Sequence, residues 1–177
     1  ECAEVIALTE RYEPTRSPTF GASGVTRTST TWYVRYQEVV RSLDRTSRLV
    51  GLPIEHFEEP QIVCYQPGQS FGWHYDAVPA TRLANGGQRV ATLLVYLDEP
   101  AQGGSTAFRD LRTGLMGVNG EAQRLEVQPK VGRALLFFPS SADGSADERT
   151  LHAGMSPMGS DKWILQHWVH ERAYEPT

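Results

Sequence analysis

Gln61-Ile62-Val63-Cys64-Tyr65-Gln66, then Pro67-Gly68, then Gly72-Trp73-His74-Tyr75-Asp76 is the stretch that decides how this chain is read. Its first six residues are rich in β-branched and aromatic side chains and end at a Pro-Gly turn signal, which predicts a strand and a reversal. The second segment predicts another strand and carries two ligand-type side chains, His74 and Asp76, two positions apart. Successive strand residues point to opposite faces, so such a pair shares one face and could share one metal ion. The pair alone is weak, because short motifs recur by chance.

On either side the same punctuation continues. Arg89–Leu97, Ser105–Phe108, Arg124–Gln128, Arg133–Phe138, Thr150–Ala153 and Lys162–His170 read as further strands, set apart by Asn85-Gly86-Gly87, Gly103-Gly104 and Asp143-Gly144. Glu4–Thr9 reads as the end of a helix. Tyr36–Val50 reads as an amphipathic helix through Val39, Val40, Leu43, Leu49 and Val50, stopped by Gly51 and Pro53. This is an α+β chain with a sandwich or jelly-roll core and helices packed at its N-terminal end. Pro14–Thr31, rich in Pro, Gly, Ser, Thr and Arg, reads as a long loop, either a surface excursion or a lid over a site.

With 177 residues, 40% hydrophobic and 21% charged, the chain suits one core and a single domain over 1–177. Seventeen Lys+Arg against 21 Asp+Glu give a net charge of -4, and no basic block offers a phosphate-neutralising stripe, which argues against nucleic acid as a partner. The longest apolar runs are strand-sized, far short of the roughly 20 residues of a membrane helix. The two cysteines, Cys2 and Cys64, argue against a disulfide scaffold, and Cys64 reads as a buried thiol rather than a ligand. A start at Glu1 rather than Met suggests a trimmed or renumbered piece, so the compartment stays open.

His74 and Asp76 need a third ligand. Two histidines and one carboxylate on one face of Fe(II) leave the remaining positions open for a cosubstrate and oxygen. His152, in Thr150-Leu151-His152-Ala153-Gly154, is the strongest candidate, and Lys162 opens the next strand. Adjacent antiparallel strands would bring His152 and Lys162 to one cavity. A metal and a buried cation together suit a dicarboxylate: its 2-oxo acid end would chelate iron and its far carboxylate would pair with Lys162. The plainer alternative is a solvated lysine at a strand start. His167 and His170 read as structural, and His56, in a polar loop, as exposed.

Arg27-Thr-Ser29-Thr-Thr-Trp32, Gln61 through Gly68, His74-Tyr-Asp76, Gly87-Gln-Arg89-Val-Ala-Thr92, Gly103 through Phe108, Gly132 through Phe138, Leu151-His152-Ala-Gly and Lys162-Trp163 through Arg172, taken in order, resemble the catalytic domain of the collagen-type prolyl 4-hydroxylases. These are Fe(II)- and 2-oxoglutarate-dependent dioxygenases. The resemblance runs over nearly the whole chain and implies a double-stranded β-helix (jelly-roll, cupin-like) core with N-terminal helices on one side, here lacking the usual first strand. It makes His74, Asp76 and His152 the iron ligands, and Lys162 the partner of the distal 2-oxoglutarate carboxylate, completing a catalytic set the residues themselves had suggested.

The resemblance further implies that Tyr65 and Thr106 help hold that carboxylate, and that Arg27, Ser29, Glu58 and Arg89 lie along a peptide groove, Glu58 being the one best explained as a surface group. It implies hydroxylation of peptidyl proline at carbon 4 with release of succinate and CO2, with O2 as oxidant and ascorbate as reductant. Asp76 stands where related halogenating enzymes carry a small residue, so hydroxylation is expected. Pro14–Thr31 and Ala77–Gln88 become candidate lids. Asp110–Arg124 looks longer than the usual link and could reshape the mouth of the site, which keeps a small-molecule substrate such as a free amino acid derivative as the alternative. A non-catalytic jelly-roll binding module is the rival of another class. The compartment would be the endoplasmic reticulum lumen or secretory pathway in a eukaryote and the cytoplasm in a bacterium.

Overall fold

The computed structural model describes residues 1–17, 25–118 and 120–176. In chain order the elements are helix α1 (Cys2–Ala7), strands β1 (Thr15–Arg16) and β2 (Thr30–Tyr33), helix α2 (Val40–Val50), then β3 (Gln61–Tyr65), β4 (Phe71–His74), β5 (Arg89–Tyr96), β6 (Gln102–Gly103), β7 (Thr106–Met116), β8 (Ala122–Val127), β9 (Ala134–Phe137), β10 (His152–Gly154), β11 (Pro157–Met158) and β12 (Lys162–His170). Helix α2 stops where expected: Gly51 turns left-handed at φ 73° and its N–H donates to the Ser47 carbonyl. No helix among the described residues is long and apolar enough to cross a membrane.

Strand pairing is antiparallel throughout the described sheets. The large sheet runs β1-β2-β3-β12-β5-β9, the smaller β4-β10-β7-β8, and β11 pairs with β6. The last strand thus lies between β3 and β5, and β4, which follows β3 in sequence, crosses to the other sheet. Side chains join the facing sheets: Phe137 meets Phe108 edge-on at 5.4 Å between ring centroids, and the Tyr96 hydroxyl donates to Thr106 Oγ1 at 2.7 Å. This is an antiparallel jelly-roll type of core.

Strand alternation divides the large sheet into two environments. Ile62, Ala91, Leu165 and Val169 cluster with Val5 of α1, Leu43 of α2 and Val39 just before it, each Val, Leu or Ile among them contributing about 1.5–3 kcal/mol on burial. On the other face Val63, Tyr65, Leu94, Tyr96 and Ile164 form a second cluster toward the small sheet. Because both faces are covered, β12 is buried along almost all its length although it carries Lys162, Gln166, His167 and His170.

Several expectations need correction. Strand β4 ends at His74, so Asp76 lies just beyond it rather than on the same strand. Strands β10 and β12 belong to different sheets, so His152 and Lys162 do not stand on adjacent strands. Asp110–Arg124 is no irregular link: most of it belongs to an exposed β7–β8 ribbon, with Arg112 opposite Arg124 and Met116 opposite Ala122. Glycines at 114, 117 and 120 and the lack of a buried face hid that ribbon from periodicity. Pro14–Thr31 is partly tied down, since β1 pairs with β2, the Thr28 N–H donates to the Ser70 carbonyl and the Gly72 N–H to the Thr26 carbonyl; its portion 18–24 lies outside the described residues. His56 is half-buried rather than exposed, its Nδ1 bonded to the His170 carbonyl at 2.9 Å.

Candidate active site

The β4–β10 ladder sets His152 opposite His74, with their ring centroids 4.1 Å apart. His74 Nδ1–H donates to the Gly72 carbonyl at 2.7 Å and His152 Nδ1–H to the Thr150 carbonyl at 2.9 Å. Each bond fixes its ring so that Nε2 carries the lone pair. Those Nε2 atoms face Asp76, at 3.6 Å from Oδ1 for His74 and 3.8 Å from Oδ2 for His152. One ligand atom from each of the three side chains lies within 4.8 Å of the others, a spacing one cation can bridge. Around them Phe71 stacks on His74 at 3.5 Å, while Phe137 and Phe108 pack against His152 at 4.8 and 5.7 Å.

The charges suit that use. Burial, followed by the neighbouring His152, pushes His74 down to about 3, so it is neutral at physiological pH. Burial alone would raise the Asp76 carboxyl, but the two histidines, Arg89 and a hydrogen bond from Thr92 outweigh it and hold the group below the usual carboxylate range. Thr92 Oγ1 donates to Asp76 Oδ2 at 2.8 Å, and an Arg89 guanidinium N–H reaches the Asp76 carbonyl at 3.3 Å. Thr92 was missed in the sequence; its alternation with Leu94 and Tyr96 along the Arg89–Leu97 run places it on the inward face and could have found it.

Lys162 is 1% exposed at the start of β12, opposite Tyr65. Its ammonium lies 5.1 Å from the Tyr65 ring centroid and 5.7 Å from that of Tyr96. No carboxylate among the described residues pairs with it, and burial pushes it down to about 7. Thr106 lies opposite Gly154 in the β7–β10 ladder, and a side chain at Gly154 would meet the Tyr65 hydroxyl at 3.6 Å and Phe71 at 3.6 Å. Lys162, Tyr65 and Thr106 therefore gather around Tyr96 and Gly154, with Phe71 between Gly154 and His74. A buried cation without a counter-ion, beside two hydroxyl-bearing residues and a three-ligand cluster, is the chemistry a metal-chelating dicarboxylate requires.

The residues expected along a peptide groove divide into two groups. Arg27 is buried, its guanidinium 4.7 Å over the Phe71 ring and its Nε bonded to Ser29 Oγ at 3.1 Å; Ser29 in turn meets the Ser17 hydroxyl at 2.7 Å. Glu58 and Arg89 form a bidentate pair at 2.6 and 2.9 Å. His170 Nε2 bonds Glu58 Oε1 at 2.7 Å, and the guanidinium lies flat over Trp168 at 3.8 Å. Glu58 is thus buried and fully engaged, not a surface group. His170, read as structural, is its third partner; no spacing in the sequence links residues so far apart.

A jelly-roll type core with two histidines paired on one sheet and a carboxylate just beyond the strand end is the ligand pattern of the mononuclear iron oxygenase class. The chain belongs to the 2OG-Fe(II) oxygenase superfamily, whose family model matches residues 60–170. Family and cluster together point to Fe(II) and 2-oxoglutarate. The chain is 30% identical over 160 residues to prolyl 4-hydroxylase 1 of Arabidopsis thaliana, covering 86% of this chain and 56% of that protein. It is 34% identical over 160 residues to prolyl 4-hydroxylase 5 of the same plant, covering 84% and 55%. It thus spans just over half the length of these relatives. In fold it resembles the viral collagen prolyl hydroxylase of Paramecium bursaria Chlorella virus-1 in its 2-oxoglutarate complex, with a TM-score of 0.72 and 23% identity over 95% of this chain and 88% of that one.

Proposed function

We propose that this protein hydroxylates peptidyl proline at carbon 4, using Fe(II), 2-oxoglutarate and O2, releasing succinate and CO2, with ascorbate as the reductant. The observation that carries it is Lys162, a buried ammonium without a carboxylate partner among the described residues, taken together with the cluster of His74, Asp76 and His152. The plant relatives, named as prolyl 4-hydroxylases, support peptidyl proline as the substrate.

When bound, Fe(II) with 2-oxoglutarate supplies the oxidising chemistry. His74 and His152 present Nε2 lone pairs and Asp76 its carboxylate as the ligand set, with Thr92 and Arg89 orienting Asp76. Lys162, Tyr65 and Thr106 receive the far carboxylate of the cosubstrate. Arg27, bonded to Ser29, lies over Phe71, which stacks on His74, and Arg89, held by Glu58, forms a wall beyond Asp76. A proline-rich peptide is already extended, so a groove beside these residues would take it at low ordering cost.

The test is succinate formation from 2-oxoglutarate by the Fe(II)-loaded protein under air, with and without proline-rich peptides, reading peptide mass in the same samples. Turnover with a gain of about 16 Da, one oxygen atom, is expected on the peptide. Succinate without a peptide gain moves the substrate to small molecules, and no succinate from folded, iron-loaded protein overturns the oxygenase reading.

A further inference from the structure

Between Asp76 and β5 the chain runs through residues 77–88, which border a cavity of about 360 Å³ whose lining includes Glu58, Tyr75, Val78, Arg89, His170 and Tyr174. Some segments beside active sites become ordered only as substrate binds. Here hydrogen bonds within the chain tie the segment at its base and along its far side. At one end the buried Gln88 carboxamide spans its base: Oε1 accepts from the Val78 and Arg89 N–H groups, while Nε2 donates to the Val78 carbonyl at 3.1 Å and the Gly144 carbonyl at 3.3 Å.

At the other end lies the segment that follows β12. The Glu171 N–H donates to the Gln88 carbonyl at 2.9 Å and the Arg172 N–H to the Gly86 carbonyl at 3.0 Å. The Arg172 guanidinium reaches the Leu83 carbonyl at 3.1 Å. Asn85 closes a reciprocal pair with Glu175, its Nδ2–H donating to the carbonyl and its Oδ1 accepting from the N–H, both at 2.8 Å. Tyr174 anchors this strap to the body, its N–H donating to the Glu55 carbonyl and its ring stacked on His170 at 4.8 Å. Gly86 and Gly87, at φ 72° and 75°, make the approach possible: a Cβ on Gly86 would stand 2.8 Å from the His170 ring, and one on Gly87 would collide with Glu171.

We infer that residues 171–175 and the Gln88 carboxamide hold 77–88 as a preformed wall of the substrate groove, with Asn85 and Gln88 as positioning residues. As a statement about substrate, this rests on the peptide reading above. A wall formed in advance spares the ordering that binding would otherwise require, so apparent affinity depends on the fraction of molecules in which it is formed.

Hydrogen–deuterium exchange on the full chain, wild type against Asn85→Ala and Tyr174→Ala, is read over 77–88 and 171–176 without substrate, alongside steady-state kinetics with a proline-rich peptide. Both variants are expected to exchange about tenfold faster across both segments, with peptide KM raised about tenfold, kcat within about twofold and the 2-oxoglutarate KM unchanged. Unaltered exchange over 77–88, or faster exchange with an unaltered peptide KM, overturns the inference. If the wild type hydroxylates no peptide, the prolyl reading fails, and the exchange measurement by itself decides whether the strap holds the wall.

Discussion

Two buried charged groups stand on the inward side of the large sheet, and they are built in opposite ways. At one end Glu58, Arg89, His170 and the Trp168 ring saturate one another. At the other, Lys162 has two aromatic rings and, among the described residues, no anion. The saturated cluster is framework: its charges cancel, and it holds the backbone beside Asp76 in place. The lone ammonium is a socket, at odds with its surroundings until an anion arrives. Lys162 is the more deeply buried of the two, and it is the one left without a partner.

Four measurements break or sharpen this contrast. Glu58→Ala strands the Arg89 guanidinium, and chemical denaturation should show a loss of about 3–5 kcal/mol, as for removing one partner of a buried ion pair. Lys162→Met should act in the opposite sense on the fold: 2-oxoglutarate affinity by calorimetry falls about 30- to 100-fold, roughly 2–3 kcal/mol, with iron content unchanged, while the ligand-free protein becomes about 1–3 kcal/mol more stable. A variant less stable than wild type in both states would make Lys162 a framework residue after all.

The third is a pH scan. Burial lowers Lys162 to about 7 in the folded protein, so the unfolded chain binds the extra proton between that value and its ordinary lysine range. Stability of the ligand-free protein should therefore rise with pH across that window, by up to about 1.4 kcal/mol per unit. Lys162→Met should lack that component, and saturating 2-oxoglutarate should flatten it. The smallest effect belongs to Thr92→Val, which removes the hydroxyl oriented on Asp76 and should weaken metal binding about tenfold.

Much of this was legible in the sequence because apolar alternation survives in buried strands: β3, β5, β9 and β12 fall within the segments that Gln61–Gln66, Arg89–Leu97, Arg133–Phe138 and Lys162–His170 suggested. The chemistry of His74, Asp76, His152 and Lys162 was legible too, as residue types and spacing, although two of the geometric reasons were not. Asp76 reaches the histidines from beyond the strand end, and Lys162 reaches the cavity from the opposite sheet. Strands β1, β6 and β11 are two residues long, too short for any period to register. The Glu58–Arg89–His170 cluster joins three distant segments, and its partners become evident only when the sheet order is known.

Cys64 lies on β3 between Val63 and Tyr65, so its side chain points away from the inward face, with Sγ 3.8 Å from Asp161 Oδ2. Burial, followed by the Asp161 carboxylate, pushes that thiol up to about 12. Oxidants and alkylating agents attack the thiolate, and at neutral pH this sulfur is almost entirely protonated. On the proposed function, oxidising chemistry on one side of the sheet would find the buried sulfur on the other chemically silent, which would give the protein durability against damage of its own making.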